Sequence, residues 1–209
     1  TTISHTLARQ RATIVSLCEM TNALDGTRPV SANDGLEPIG GDIVGVHDYD
    51  QDPAALAARR GSSEVIDDQL TGWRPDGRRG DLDGAPADGR AVVLSEFGGT
   101  ALAGDTGTET FGTDNWGYDG VVTPAELLDR YRQLWAVVHD SDGLAGACWT
   151  QLTDTYQEVN GLLRADRSPK LDSAAVRLAT TGRAMTPTGR ESSTAPSPSP
   201  TVATGERDA

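Results

Sequence analysis

Apolar residues recur along this chain with two periods, and together the two periods predict alternating helices and strands. Residues 4–24 repeat apolar side chains at helical spacing, which predicts an amphipathic helix whose apolar face consists of Leu7, Ile14, Leu17, Cys18 and Leu24. Short apolar runs follow at residues 29–33, 42–47, 91–96 and 144–150, and each predicts a buried strand.

Start signals place further helices between and after these strands. Asp52 followed by Pro53 is typical of a helix N-terminus, because Asp caps free N–H groups and Pro tolerates the first helical position. Thr123, Pro124 and Glu126 predict a capping box, and the helix after it carries an apolar stripe of Leu127, Leu134, Val137 and Val138. Residues 171–179 form the last predicted helix. Strands alternating with helices predict an α/β fold, in which helices cover a parallel sheet.

The composition divides the chain and limits its partners. We expect one domain over residues 1–181 and a disordered tail over residues 182–209, where Pro, Ser and Thr dominate. The formal charge of −13 argues against binding to nucleic acid or to an anionic membrane. No apolar run has the length of a membrane span. Cys18 and Cys148 lie in apolar contexts, so we expect buried free thiols and, from them, a cytoplasmic protein.

Polar or aromatic residues that can carry chemistry stand at the end of each predicted strand. They are the pair Asn33 and Asp34, the run from His47 to Tyr49, Glu96, and Trp149. Because the carboxyl ends of parallel strands meet at one edge of a sheet, we expect these side chains to share a site. Glu96 follows a buried run, where a carboxylate is costly unless it has a partner or a function.

Five segments of the chain resemble those of a known family. In chain order they are ALDGTRPVSANDG, DIVGVHDYD, VVLSEFGG, WGYDG and CWTQLTDTYQEVNGLLRADRSPK. Over residues 5–180 the chain resembles the catalytic domain of glycoside hydrolase family 2, which includes β-galactosidases, β-glucuronidases and β-mannosidases. The resemblance implies a (β/α)8 TIM barrel, of which this chain would form the C-terminal half, strands five to eight. It implies an exo-acting enzyme that hydrolyses β-linked glycosides or oligosaccharides with retention, without a metal or a cofactor.

The same resemblance assigns roles to individual residues. Glu96 matches the catalytic nucleophile, and Tyr49 matches a tyrosine that donates a hydrogen bond to it. The implied substrate-binding residues are Asn33, Asp34 and His47 on sugar hydroxyls, Trp149 as a wall of the sugar subsite, and Trp116 on the aglycone side. A metal site is not expected, because His47 and its neighbours show no third ligand at a recognisable spacing.

One element of the family pattern has no counterpart in this sequence. The family carries its acid/base glutamate after an asparagine at the end of strand four, and this chain has no Asn-Glu pair. We therefore expect the acid/base and the N-terminal half of the barrel upstream of Thr1. Without them we expect the chain to be inactive and to aggregate or stay partly unfolded, because strands five and eight would be open edges.

Two alternatives stay open at this point. One is a non-catalytic carbohydrate-binding or scaffold protein that keeps the sugar subsite and lacks the acid. The other is a metal-dependent barrel enzyme in which Glu96 and His47 are ligands.

Overall fold

The structure is a computed structural model that describes residues 2–35, 37–72, 89–103 and 116–182. The helices are α1 (Thr2–Leu24), α2 (Pro53–Arg60), α3 (Ser63–Thr71), α4 (Pro124–Asp140) and α5 (Ser173–Thr181). The strands are β1 (Ile43–Asp48), β2 (Ala91–Gly98), β3 (Thr100–Leu102), β4 (Asp119–Val121) and β5 (Gly146–Thr150). The predicted mixed α/β class is therefore confirmed.

The main sheet is parallel, with the strand order β1-β2-β5. In the described part of the chain these strands do not close into a barrel. The strand predicted at residues 29–33 is wrong, because that segment makes only a single parallel bridge from Ser31 to Ile43 before the backbone bends at residues 32–35. A second parallel pair, β3 with β4, was not predicted from the sequence.

The predicted helix starts are confirmed by the caps. The Asp52 side chain accepts a hydrogen bond from the N–H of Ala54, with Pro53 as the first helical residue. The Thr123 hydroxyl accepts from the N–H of Glu126 at 3.2 Å, and the Glu126 carboxylate accepts from the N–H of Thr123 at 2.9 Å. Hydrogen bonds from the N–H groups of Thr123 and Val122 lower the pKa of Glu126, because they stabilise its charged form.

The core lies between one face of the main sheet and helices α2, α3 and α4. Its sheet side includes Val44, Val46, Val92 and Leu94, which alternate along β1 and β2. The helices contribute Leu56, Ile66, Leu70, Tyr131, Leu134, Trp135 and Val138. The predicted stripe of α4 is thus correct for Leu134 and Val138, and Leu127 is buried in an adjacent cluster.

The predicted apolar face of α1 is mostly exposed. Cys18 is buried, whereas Leu17 is 52% and Leu24 is 82% exposed. The two cysteines are both free, but Cys148 is exposed, so the prediction of a buried thiol there is wrong. Its neighbour Trp149 takes the buried face of β5, and alternation places Cys148 on the other face.

Two further predictions concern a membrane span and the C-terminal tail. None of the described helices combines the length and the apolar character needed to cross a membrane. The predicted tail, apart from Gly182, lies outside the described residues.

Candidate active site

A β-bulge at Ser95 turns the end of β2. Val46 of β1 pairs with Leu94, but the next residue, His47, pairs with Glu96, so β2 contains one extra residue. The pairing of β2 with β5 also shifts after Leu94. Bulges of this kind re-aim side chains and are frequent beside active sites.

The bulge changes the face on which Glu96 lies. Val92 and Leu94 are buried against the helices, and without the bulge the period of two would place Glu96 beside them. Instead Phe97 takes the next buried position. Glu96 joins His47 on the opposite face of the sheet, and its side chain is 38% exposed.

Two side chains from β1 and its end contact the same oxygen of Glu96. The Tyr49 hydroxyl donates a hydrogen bond to Glu96 Oε2, and His47 Nδ1 lies 3.3 Å from that atom. The Tyr49 hydroxyl is also 3.4 Å from Thr150 Oγ1. Burial, reinforced by the hydrogen bond to Glu96, raises the pKa of Tyr49 above its ordinary value, so this phenol stays protonated at neutral pH.

The other ring nitrogen of His47 faces a second carboxylate. His47 Nε2 lies 3.2 Å from Asp34 Oδ2, and the Ser95 hydroxyl donates to Asp34 Oδ1. Gly45 permits this arrangement, because a Cβ there would lie 3.0 Å from Ser95 Oγ and closer still to Asp34 Oδ1. Asp34, His47 and Glu96 therefore form one connected group.

Asp48, the neighbour of His47, lies on the opposite face. Its side chain is 6% exposed and accepts two hydrogen bonds of 2.8 Å from Arg59 on α2. Arg60 Nε lies 3.3 Å from the same carboxylate. Asp48 raises the pKa of Arg59 through these bonds. The Asp48 carboxylate thus joins the sheet to α2 and does not take part in the candidate site.

The predicted aromatic residues lie in different surroundings. Trp149 is 7% exposed and packs in the core, with its ring centroid 5.3 Å from that of Phe97 and 4.7 Å from that of Tyr131. Its Nε1 has no hydrogen-bond partner among the described residues. Trp116 is 48% exposed, and its backbone N–H donates to the Gln157 carbonyl at 2.7 Å. The sugar-binding roles of Trp149 and Trp116 stay predictions.

Four of the predicted site residues come together: Asp34, His47, Tyr49 and Glu96. Asn33 lies exposed in the bend before Asp34, where its carbonyl is 3.5 Å from Ser31 Oγ. Its role stays a prediction.

The sequence did not single out Ser95 or Thr150 as members of this group. Tyr118 belongs to the segment WGYDG, and like Trp116 it was expected on the aglycone side or in plain loop packing, not beside Tyr49. Ser95 carried no signal, since a bulge cannot be read from an apolar run.

The same group meets the simplest geometric requirement for a metal ion. Asp34, His47 and Glu96 each offer one ligand atom, and these atoms all lie within 4.8 Å of one another. The sequence had indicated only two of these ligands. Asp34 belongs to the segment before β1 and comes close to His47 because that segment runs beside the start of the strand.

Comparisons with known proteins give limited similarity. No protein-family model and no curated protein matches this chain. Among solved structures, a β-glucuronidase of Faecalibacterium prausnitzii matches 67% of the chain at 15% identity with a TM-score of 0.36. A β-glucuronidase of Bifidobacterium dentium, complexed with coumarin-3-O-glucuronide, matches 66% at 18% identity with a TM-score of 0.37. The chain spans 21% and 20% of these proteins, and the similarity is too low to carry an argument about activity.

Proposed function

We propose that this chain is part of a retaining β-glycosidase of the glycoside hydrolase family 2 type, with Glu96 as the nucleophile. The observation that carries the proposal is the pair of contacts on Glu96 Oε2, from the Tyr49 hydroxyl and from His47 Nδ1 at 3.3 Å. The two contacts hold one carboxylate oxygen in place, so the other oxygen can be presented to the anomeric carbon. The sequence segments that resemble the family support the same assignment.

The contacts also select the attacking atom. The described residues that contact the Glu96 carboxylate do so at Oε2, so Oε1 is the oxygen available to bond the anomeric carbon. In a retaining mechanism this bond forms as the glycosidic bond breaks, and water later hydrolyses the glycosyl-enzyme. The Tyr49 hydroxyl keeps its proton, and it holds Oε2 while the charge on the carboxylate decreases.

A retaining mechanism also needs a proton donor about 5–5.5 Å from the nucleophile. Asp34 lies within 4.8 Å of Glu96, but the Ser95 hydroxyl donates to its Oδ1, and its Oδ2 lies 3.2 Å from His47 Nε2. The resemblance also gives Asp34 a role on sugar hydroxyls and not that of the acid. We therefore propose that the acid/base belongs to residues outside this chain, and that the chain alone does not hydrolyse ordinary glycosides.

The nucleophile can be tested without the acid. A 2,4-dinitrophenyl 2-deoxy-2-fluoro-β-glycoside loses dinitrophenolate without protonation, and the fluorine slows hydrolysis of the glycosyl-enzyme. We expect one member of a galactoside, glucoside, mannoside and glucuronide panel to release one equivalent of dinitrophenolate and to add its glycosyl mass to Glu96. Glu96→Gln should abolish the release and the mass increase. The control is Glu158→Gln, which removes a carboxylate in the loop after β5 and should change neither.

Two outcomes would overturn the proposal. One is labelling that persists in Glu96→Gln, and the other is the absence of labelling with every sugar, both in the chain alone and with the N-terminal half of the barrel supplied in trans. Sugar binding without labelling would favour the alternative of a non-catalytic carbohydrate-binding protein.

A second candidate function is supported by one observation. Because the ligand atoms of Asp34, His47 and Glu96 lie within 4.8 Å of one another, the same group could hold a divalent cation in a metal-dependent enzyme. Calorimetric titration with Mn²⁺ and with Zn²⁺ separates the two. Stoichiometric binding that His47→Ala abolishes would favour the metal enzyme, and glycosyl labelling unaffected by a chelator would exclude it.

A further inference from the structure

We propose that Tyr118 is a positioning residue that holds the Tyr49 ring so that its hydroxyl stays on Glu96. The catalytic part of this inference rests on the proposed function, and the structural part does not. Tyr118 lies just before β4, outside the strand ends that form the rest of the site.

The two tyrosine rings stack on each other. Their centroids are 3.5 Å apart and their planes are within 9° of parallel. Isolated aromatic pairs prefer offset or edge-to-face arrangements with more distant centroids, about 4.5–7 Å. The close stack is therefore held by the surrounding backbone more than by the attraction between the rings.

Gly99 is the point at which the backbone holds both rings. Its carbonyl accepts a hydrogen bond of 3.0 Å from the N–H of Tyr118. Gly99 has a φ of 73°, and a Cβ there would lie 2.5 Å from Tyr118 Cδ2 and 3.2 Å from Tyr49 Cδ1. Only glycine fits in this conformation under two rings, and Gly99 comes three residues after Glu96. The turn that follows the proposed nucleophile is thus also the support of the stack.

The backbone of Tyr49 is fixed separately. Gln51 Nε2 donates to the Tyr49 carbonyl at 3.1 Å and also to the Gly98 carbonyl. Gln51 Oε1 accepts from the Thr100 hydroxyl at 2.6 Å. These bonds fix the backbone from which the Tyr49 side chain extends, but they do not fix the side-chain torsion angles.

The side-chain torsion angles of Tyr49 are restricted by the residues that contact its ring. His47 approaches it edge-on, at a centroid distance of 6.4 Å, and Tyr118 covers one face directly. Removal of the Tyr118 ring would let water reach Tyr49 and let its side chain rotate about χ1. The hydroxyl would then leave Oε2 for part of the time.

Tyr118 is a suitable target because it is not part of the main core. It is 47% exposed, and on its outer side it meets Trp116 edge-on at 5.7 Å between centroids. Tyr118→Phe keeps the ring and therefore the stack, and it removes the hydroxyl, which helps to raise the pKa of Tyr49 through a side-chain hydrogen bond; it is the control that separates the ring from the hydroxyl. Tyr118→Leu keeps an apolar side chain and removes the stack.

The first measurement does not depend on catalysis. The chain has 4 tyrosines, so ¹³C,¹⁵N labelling of tyrosine gives few resonances, and the spectrum of Tyr49→Phe assigns that of Tyr49. The three-bond couplings of Tyr49 Cγ to its backbone nitrogen and carbonyl carbon report the χ1 torsion of the side chain. In the unaltered chain and in Tyr118→Phe, which keeps the stacked ring, we expect the couplings of a single χ1 rotamer, and in Tyr118→Leu we expect averaged couplings. Equal couplings of Tyr49 in Tyr118→Phe and Tyr118→Leu would overturn the proposal.

The second measurement is the rate of labelling by the activated fluoro-glycoside. Loss of a hydrogen bond to a charged group slows such a step by about ten- to a hundredfold, and we expect this from Tyr49→Phe and a part of it from Tyr118→Leu. If Tyr118 acts through Tyr49, the double variant should be no slower than Tyr49→Phe. Additive losses would contradict that.

The two measurements separate failure of this inference from failure of the proposed function. If Tyr118→Leu averages the χ1 couplings of Tyr49 but no variant is labelled, Tyr118 positions Tyr49 and Glu96 is not a glycosidase nucleophile. If the chain is labelled and Tyr118→Leu changes neither the couplings nor the rate, the proposed function stands and the positioning role is wrong.

Discussion

Two glycines flank Val93 in the main sheet, and alanine at each should have a different effect. Gly45 of β1 pairs with Val93 on one side, and Gly146 of β5 pairs with it on the other. A Cβ at Gly45 would collide with Asp34 Oδ1 and lie 3.0 Å from Ser95 Oγ, whereas no described atom lies within 4 Å of a Cβ at Gly146. The pair therefore compares the same change at matched sheet positions with and without the candidate site beside it.

The expected free energies of unfolding follow from these contacts. Where the backbone conformation is compatible, Gly→Ala stabilises by about 0.4–1 kcal/mol, because it restricts the unfolded chain; we expect this of Gly146→Ala. Gly45→Ala has the same gain but an added cost. If the site stays in place the cost is overpacking, about 1–3 kcal/mol. If Asp34 moves away, it loses its contacts with Ser95 and His47, which is also about 1–3 kcal/mol.

Gly45→Ala should thus be about 1–3 kcal/mol less stable than Gly146→Ala by either route. Urea unfolding of both variants, followed by tryptophan fluorescence and compared at equal m-values, measures the difference. Repeating Gly45→Ala in an Asp34→Gly background removes the colliding carboxylate and should remove most of the cost. Equal stability of the two alanine variants, or an undiminished cost in the Asp34→Gly background, would refute the predicted contact at Gly45.

Two further predictions concern a helix cap and a turn. Thr123→Ala should lower the free energy of unfolding by about 1 kcal/mol. Because the folded-state pKa of Glu126 is lowered from 4.5, its contribution is present above that pH and is lost as the pH falls through the lowered value, so the stability of the chain relative to Glu126→Gln should decrease in acid. Gly98→Ala should destabilise more than Gly89→Ala in urea unfolding. Both have positive φ, 80° and 77°, but only at Gly98 would the Cβ meet an indole ring; equal losses would contradict this.

Local signals predicted the starts of α2 and α4, whereas α3 was not predicted. Asp52 with Pro53, and Thr123 with Glu126, act within a few residues of the helix they start, so the sequence contains the whole interaction. The sheet was predicted less well because its pairing is not local. Residues 29–33 are as apolar as a short strand, but they pair with β1 only at Ser31, and nothing within the segment reveals the bend that follows.

The residues of the candidate site differ in the same way in how far the sequence could predict them. His47, Tyr49 and Glu96 were predictable because they stand where β1 and β2 end, and parallel strands bring such ends together. Asp34 was predicted on the same reasoning, but the strand expected before it is absent, and it follows the single bridge from Ser31 to Ile43. Tyr118 could not be ranked in the same way, because it reaches the site only through the pairing of β3 with β4.

Alternation along β1 carries more information than its residue types. His47 and Asp48 are adjacent and equally polar, yet successive side chains of a strand point to opposite faces. Val44 and Val46 are buried, so the period of two places Asp48 with them and His47 opposite. The sequence alone could thus have excluded Asp48 from the site and predicted a partner for it on a covering helix, which Arg59 provides.

Carboxylates have different surroundings on the two faces of the sheet, and the bulge at Ser95 decides on which face Glu96 lies. On the helix face Asp48 is buried and matched by arginines, so its charge contributes to the fold. On the other face the oxygens of Asp34 and Glu96 approach within 4.8 Å, and the groups that contact them are the hydroxyls of Ser95 and Tyr49 and the imidazole of His47. An unbulged β2 would have buried Glu96 among apolar side chains. The one extra residue therefore allows a strand that stabilises the core to present a carboxylate on the opposite face at its end.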